Sequence, residues 1–177
     1  MGWLKTVLVS LCLTVSAALA AAGGEAGRYL TTADYLAEAF PDGAPEAGTF
    51  WVKGDLRKDI EGILGHTFGS LRLRYWYDGS SSAWILDEIG KELPITIGVT
   101  VANGEISHVR ILEFRESRGW EVRYPFFTDQ FRHARLRADG RLDRKIDGIT
   151  GATLSVGAVT RIARVALLLH DNISQTG

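Results

Sequence analysis

An Asn-Gly pair at positions 103 and 104 constrains the fold of this chain more than any other feature of its sequence. It separates two runs of alternating β-branched residues, which cover residues 94–102 and 105–114. Asn and Gly tolerate the positive φ angles of a two-residue hairpin turn, and a period of two is the pattern of a strand with one buried face. The segment therefore predicts a β-hairpin, and with it an antiparallel sheet.

Three more segments have the composition of strands. Residues 71–77 alternate apolar and basic side chains until Asp78-Gly79, and residues 83–89 follow as a second apolar run. These two segments are predicted to pair as a hairpin around a serine-rich loop. Another strand is predicted over residues 49–52, after a break that is rich in Pro and Gly.

Short helices are predicted on both sides of these strands. Thr31 or Thr32 can cap a helix that ends near Pro41, and Asp55 and Gly65 bracket a second helix as its cap and its terminator. A third short helix is predicted over residues 126–134.

The longest predicted helix runs from Thr153 to His170, where apolar residues recur at the spacing of one helix face. With the strands, it predicts an α+β fold that has an antiparallel, strongly twisted sheet and a long C-terminal helix. We expect a segment over residues 1–20, a region of helices and strands over 21–92, and a second domain over 93–171.

The first residues have the pattern of an export signal. Lys5 is the only charged residue before Glu25, and it precedes an apolar run, residues 7–22, that contains Ala18-Leu19-Ala20. This is the layout of a secretory signal peptide that is cleaved after Ala20, which predicts a periplasmic or otherwise extracytoplasmic protein. The alternative is an uncleaved anchor helix, although the run is shorter than the roughly 20 residues that a bilayer span needs.

Charge and cysteine usage exclude several classes of protein. The formal net charge is −1, which argues against a protein that binds nucleic acid through its phosphates. Cys12 is the only cysteine, and Leu11 before it does not suit a lipoprotein signal. After cleavage the chain has no thiol for disulfides, iron–sulfur clusters, nucleophilic catalysis or covalent haem. If the protein transfers electrons, an organic cofactor must carry them.

Small and hydroxyl residues immediately precede the long C-terminal helix. The first amide N–H groups of a helix have no partner within it, so a helix start of this kind can bind an anion. Gly148 and Gly151 let the backbone approach a phosphate closely, and the hydroxyls of Thr150, Thr153 and Ser155 can donate hydrogen bonds to it. The segment therefore predicts a phosphate site.

A purely structural interpretation of the same segment stays open at this point. Thr150 or Thr153 can simply cap the helix, and the two glycines can simply form the turn before it. The chain lacks the G-x-x-x-x-G-K-[ST] sequence of a nucleoside-triphosphate loop, and no G-x-G-x-x-G follows a predicted strand. A mononucleotide phosphate fits better than either.

Residues 147–153, Asp-Gly-Ile-Thr-Gly-Ala-Thr, resemble the D-x-x-[ST]-G-A-[ST] sequence of the FMN-binding domain family. Its members include the periplasmic C and G subunits of the sodium-pumping NADH:quinone oxidoreductase and of the Rnf complex. In this family an FAD:protein FMN transferase attaches FMN to the last Thr of the motif through a phosphoester bond. The resemblance implies that Thr153 carries FMN and that the start of the C-terminal helix holds its phosphate. It implies further cofactor contacts or transferase recognition for Asp147, Gly148, Thr150, Gly151, Ala152, Leu154 and Ser155.

A second segment extends the resemblance. Glu116-Ser117-Arg118-Gly119 is similar to the acidic, glycine-containing loop that lies near the isoalloxazine ring in this family, which implies flavin contacts for Glu116, Arg118 and Gly119. Trp120 is the aromatic residue best placed to join them, and the alternative is that it belongs to the core, as aromatic residues more often do. Arg118 stands where a proline is more usual, and the long insertions of the respiratory subunits are missing. The chain therefore resembles the small, stand-alone exported members.

The resemblance implies an exported flavoprotein that transfers electrons between redox partner proteins in or at the membrane. The alternatives are a small flavin-dependent reductase, with Glu116, His108 or His133 as the proton donor, and a module that binds another phosphorylated ligand. The basic residues between 115 and 145 either dock an acidic partner or form a solvated, neutralised face. No catalytic residue and no metal ligand is predicted.

Overall fold

The computed structural model describes residues 27–175. The predicted signal peptide lies outside this range. The predicted hairpin is confirmed: β5 (Pro94–Ala102) and β6 (Glu105–Phe114) pair antiparallel, with Ala102 opposite Glu105 at the turn. Asn103 and Gly104 have φ angles of 53° and 74°, the left-handed conformation that this turn requires.

Within the described residues, six strands form one antiparallel sheet. Its order is β1 (Gly27–Arg28), β6, β5, β4 (Ser81–Ile89), β3 (Arg72–Tyr77) and β2 (Ala47–Trp51). The predicted pairing of β3 with β4 is confirmed, and the predicted strand over 49–52 corresponds to β2. β4 also pairs along its whole length with β5, so strands from residues 21–92 and 93–171 belong to the same sheet.

The two faces of the sheet are covered differently. α4 (Thr153–Ser174) packs on one face, where Trp84, Val99 and Ile162 belong to the main core. α1 (Thr32–Ala39) covers part of the other face and buries Tyr35. Gly98 permits this second contact, since a Cβ atom there would lie 2.7 Å from the Tyr35 ring. The fold is α+β, as predicted, with a layer of helix on each side of the sheet.

The cap of the first helix is confirmed and that of the second is not. The Thr31 hydroxyl accepts the N–H of Asp34 at 3.1 Å at the start of α1. α2 (Gly54–Leu64) begins one residue before the predicted cap Asp55, because Gly54 leads the chain into the helix with φ of +57°. Asp55 instead lies in the first turn, where a carboxylate interacts favourably with the helix dipole. Gly65 ends α2 in the left-handed conformation, as predicted.

The prediction of one helix over residues 126–134 is wrong in its extent. Short helical segments stand there instead: a 3₁₀ turn over Trp120–Arg123, α3 (Pro125–Thr128) and a 3₁₀ turn over Asp129–Phe131. Pro125 starts α3 because its ring suits the first helical position, and the helical run ends at Arg132, whose ψ of 133° is not helical.

α4 is the predicted C-terminal helix, and it continues beyond His170 to Ser174. By length and composition it resembles a membrane span, with a mean hydropathy of 1.3, but 56% of that window is buried within the protein. Its burial against β4 and β5 is that of a core helix. The sheet and α4 together place the start of α4 beside the loops at the ends of β4 and β6.

Candidate functional site

The start of α4 has no side-chain cap. Ala152 is the N-cap residue, and its carbonyl accepts the first backbone bond of the helix, from the N–H of Val156 at 2.9 Å. The amide N–H groups of Thr153, Leu154 and Ser155 therefore have no partner within the helix. Because Thr153 is the first helical residue and neither it nor Thr150 caps the helix, the purely structural interpretation of these threonines is wrong.

The fold requires a glycine at only one of the two motif glycine positions, 148 and 151. Gly151 has φ of +84°, a conformation that favours glycine, and it turns the chain into α4. Gly148 does not have a positive φ, and a Cβ atom added to it would meet nothing within 4 Å. Neither backbone conformation nor crowding within the described chain explains a glycine at position 148. The residue is exposed, and without a side chain its backbone is accessible to a partner.

Glu116, in the loop after β6, ties that loop to the loop between β4 and β5. Its side chain is buried, and its Oε1 atom accepts the backbone N–H groups of Lys91, Glu92 and Leu93 at 2.5, 2.6 and 2.9 Å. Burial opposes ionisation of this carboxyl, but the three N–H groups outweigh it and hold the pKa of Glu116 below its ordinary value. Glu116 is therefore an anion that orders the segment around Lys91.

The two segments that carry the family resemblance lie in contact. A Cβ atom on Gly119 would lie 2.5 Å from the Ser155 Oγ atom and 3.3 Å from the Ala152 Cβ atom. Gly119 also has φ of +87°, so a side chain there would be strained as well as crowded. The loop after β6 thus packs directly on the first turn of α4.

A cavity of about 580 Å³ lies between these segments. This volume is within the range of about 300–1,000 Å³ that cofactor sites occupy. The side chains of Lys91 and Arg118 and the Glu116 carboxylate line it together with the uncapped start of α4. The two cations and the free helix N–H groups suit the phosphate of a flavin nucleotide. The lining residues are Lys91, Glu116, Ser117, Arg118, Gly151, Ala152, Thr153, Leu154 and Ser155.

Most of the predicted site residues meet in this cavity, and some lie beside it. Gly119 lies behind Ser155, as the packing above shows. Asp147, Gly148 and Thr150 are exposed outside the lining, and the Asp147 backbone N–H donates to the Gln130 side chain at 2.7 Å. The seven predicted residues that line the cavity are Glu116, Arg118, Gly151, Ala152, Thr153, Leu154 and Ser155.

Two lining residues, Lys91 and Ser117, were not predicted. Ser117 lies within the predicted loop and could have been included with it. Lys91 carries no local signal, because it enters the site through the bonds of Glu116, which lies 25 residues further along the chain. The Lys91 ammonium pairs with the exposed Glu92 carboxylate at 3.0 Å, a contact that an anionic ligand can replace at little cost.

Trp120, the aromatic residue expected to join the flavin, is absent from the cavity lining. Its ring packs edge-on against Tyr124 at 5.6 Å, and the Arg123 guanidinium lies 5.1 Å from its centroid. Arg123 also stacks over the Tyr29 ring at 4.3 Å. Trp120 therefore belongs to an aromatic and arginine cluster beside the site.

The comparison with known families agrees with this geometry. Residues 90–168 match the model of the FMN-binding domain. The match contains the loop between β4 and β5, the loop after β6 and the start of α4, which are the segments that form the cavity. A search of curated proteins finds no match. Residues 90–168 therefore form an FMN-binding domain, and the cofactor of the protein is FMN.

Proposed function

We propose that this protein is an exported flavoprotein in which FMN is attached covalently to the Thr153 hydroxyl, and that it transfers electrons between extracytoplasmic or membrane-associated redox proteins. When bound, FMN supplies the redox chemistry, and the chain supplies binding, orientation and local charge. The proposal rests on the exposure and position of one hydroxyl group.

Three hydroxyl residues near the start of α4 are candidates for the attachment. Thr150 is exposed but does not line the cavity, and Ser155 lines the cavity but its side chain is buried. Thr153 is both exposed and part of the lining, and it stands on the uncapped turn of the helix. Among the three, Thr153 alone can be reached by a modifying enzyme and still hold the phosphate at the helix start.

The attachment reaction is a phosphoryl transfer. A bond forms between the Thr153 Oγ1 atom and the phosphorus atom of FMN, the pyrophosphate bond of FAD breaks, AMP leaves, and the hydroxyl proton passes to the transferase. Asp147 and Gly148 are exposed beside the cavity, and Gly148 has no structural reason to be a glycine. Both features suit a segment that the FAD:protein FMN transferase recognises.

The site supports an electron carrier better than a reductase. Of the proton donors expected for a reductase, Glu116 lines the cavity, but its pKa is held below the ordinary value, so it is a carboxylate at neutral pH. His108 and His133 are absent from the lining, and His133 pairs with Glu105 at 3.0 Å. None of the three places an acid beside the cofactor.

Export and covalent attachment are consistent with each other. The pattern of residues 1–20 resembles an export signal, and the chain that follows it contains no cysteine. A phosphoester bond keeps the cofactor on a protein that works where free FMN is not resupplied, and attachment through the phosphate leaves the redox ring unmodified.

Mass spectrometry of the exported protein, co-expressed with the transferase, tests the proposal. We expect the wild-type chain to start after Ala20 and to gain the mass of FMN less one water. Thr153→Ala is expected to abolish the gain, whereas the matched control Thr150→Ala is expected to keep it. Full flavinylation of Thr153→Ala would refute the attachment, and retention of residues 1–20 would refute the cleaved signal.

A further inference from the structure

A second cavity of about 500 Å³ lies beside α4, along the loop that precedes the FMN motif. Thr160 on α4 and the side chains of Leu142 and Ile146 form part of its wall. We call this cavity the basic groove, because five cationic residues line it: Arg137, Arg141, Arg144, Lys145 and Arg164.

The protein neutralises these cations only in part. Three of them have carboxylate partners: Arg137 with Asp139 at 3.5 Å, Arg144 with Asp143 at 3.5 Å, and Lys145 with Asp147 at 3.8 Å. Within residues 27–175, Arg141 and Arg164 form no ion pair. The basic groove, which Asp143 also lines, therefore keeps two guanidinium groups that form no ion pair. A wholly neutralised, solvated face is thus an incomplete description of this loop.

Arg141 and Arg164 are held near each other by the backbone. The Arg164 Nε atom donates to the carbonyl of Gly140 at 2.5 Å, which places Arg164 next to the residue that precedes Arg141. Burial, followed by the positive charges of Arg141 and Arg161, lowers the pKa of Arg164, and together they outweigh the opposing effect of the Asp139 carboxylate. Two like charges in a partly buried site are unfavourable until an anion neutralises them.

The basic groove lies on the same side of α4 as the attachment residue. Thr160 and Arg164 are seven and eleven residues after Thr153, and with 3.6 residues per turn both lie within about 20° of Thr153 around the helix axis. At 1.5 Å per residue they are about 10 and about 16 Å from Thr153 along that axis. A molecule bound in the groove thus lies beside the FMN site.

We propose that the basic groove docks an acidic segment of a protein partner, with Arg141 and Arg164 as its two principal contacts. Carboxylate side chains can enter a concave groove of this size, whereas the flat surface of a bilayer cannot. The complementary charge would speed the encounter and orient the partner next to the cofactor. The idea that this partner donates or accepts electrons rests on the proposed function. The docking of an acidic segment does not depend on it.

Fluorescence anisotropy with a labelled octaglutamate peptide and the purified full chain tests the docking without any need for flavin. We expect binding at about 0.01 M ionic strength that weakens strongly at about 0.15 M, because the Debye length falls from about 30 to about 8 Å. Arg141→Gln and Arg164→Gln are each expected to weaken binding by about five-fold, the upper range for one exposed charge pair.

The matched control is Arg74→Gln. Arg74 is exposed on β3, where the side chains alternate so that Leu73, its neighbour, belongs to the main core and Arg74 points to the opposite face. This variant removes the same charge and is expected to change peptide affinity by less than about two-fold.

Equal losses for Arg74→Gln and Arg141→Gln would overturn the proposal, since binding would then follow net charge alone. It would also be overturned if the peptide failed to bind while vesicles with anionic phosphatidylglycerol did, or while tripolyphosphate did. If the chain binds the peptide as expected but gains no FMN mass, the docking site is supported and the proposed function is refuted.

Discussion

Gly119 packs so closely on Ser155 that a Cβ atom at position 119 would lie 2.5 Å from the Ser155 Oγ atom. This contact joins the loop after β6 to the first turn of α4, so two segments that are distant in sequence form one wall of the cavity that we propose as the FMN site. The site is therefore a product of tertiary packing as much as of the motif itself.

Gly119→Ala tests that contact. The added methyl group meets Ser155 and must also adopt φ of +87°, so we expect a loss of about 2–4 kcal/mol in the free energy of unfolding. Urea denaturation measures it. Gly62→Ala is the control, because Gly62 lies in α2 and an added Cβ atom would meet nothing within 4 Å. This variant should raise the free energy of unfolding by about 0.5–1 kcal/mol. Equal stability of Gly119→Ala and wild type would contradict the close packing.

Glu116→Gln tests the link between the β4–β5 loop and the loop after β6. Replacing the carboxylate that accepts three N–H groups should cost about 1–3 kcal/mol at neutral pH. Because the pKa of Glu116 is lowered in the folded protein, its contribution is complete above the ordinary value of 4.5 and is lost as the pH falls below it. The stability difference between wild type and Glu116→Gln should therefore shrink in acid. The exposed Glu92→Gln should show little difference at any pH, and a pH-independent difference for Glu116→Gln would contradict the ionised state.

His170 should contribute a separate pH dependence. The ring is buried, and its Nδ1 atom forms a hydrogen bond of 2.8 Å with the Ser82 hydroxyl, which also accepts the Trp84 Nε1–H at 2.9 Å. Burial lowers the pKa of His170, so the unfolded chain binds the proton more readily and stability falls as the pH drops below 6.5.

In His170→Leu this part of the pH dependence should disappear, although the variant is less stable overall because Ser82 loses a buried hydrogen-bond partner. Thermal unfolding between about pH 8 and about pH 5.5 measures the slope. The exposed Arg74→Gln, which leaves His170 in place, is the control and should keep the wild-type slope. A slope in His170→Leu equal to that of wild type would show that another group causes it.

Arg118→Leu tests the charge around the cofactor. Arg118 is exposed in the cavity lining and forms no ion pair within residues 27–175, so its charge is available to a reduced, anionic flavin. Its removal should lower the flavin reduction potential by on the order of 20 mV, the equivalent of about 1 kcal/mol for a two-electron couple. A redox titration of the flavinylated variant measures this shift, with Arg74→Leu as the control. An unchanged potential would place Arg118 away from the ring.

Local signals predicted the parts of this fold that local interactions determine. The hairpin at Asn103-Gly104 needed only its turn residues and strand pattern, and the same is true of the Thr31 cap and the Gly65 terminator. Asp55 has the chemistry of a cap, but Gly54 adopts a left-handed φ and is itself the first residue of α2, so the helix starts before Asp55.

The site was predictable only where a motif records it. Thr153 followed from the resemblance, and the structure adds that its helix is uncapped and that Ser155 is buried. Lys91 could not have been found, because its place in the cavity depends on a carboxylate from a distant loop. Trp120 was assigned by proximity to Gly119 along the chain, but its contacts with Arg123 and Tyr124 place it beside the cavity.

Fragmentation mass spectrometry of the tryptic peptide 146–161 tests the central claim most directly. This peptide, released by cleavage after Lys145 and Arg161, contains four hydroxyl residues: Thr150, Thr153, Ser155 and Thr160. In protein co-expressed with the transferase, we expect the fragment series to place the FMN mass on Thr153. FMN on any of the other three residues, or an unmodified peptide from a yellow protein, would contradict attachment at Thr153.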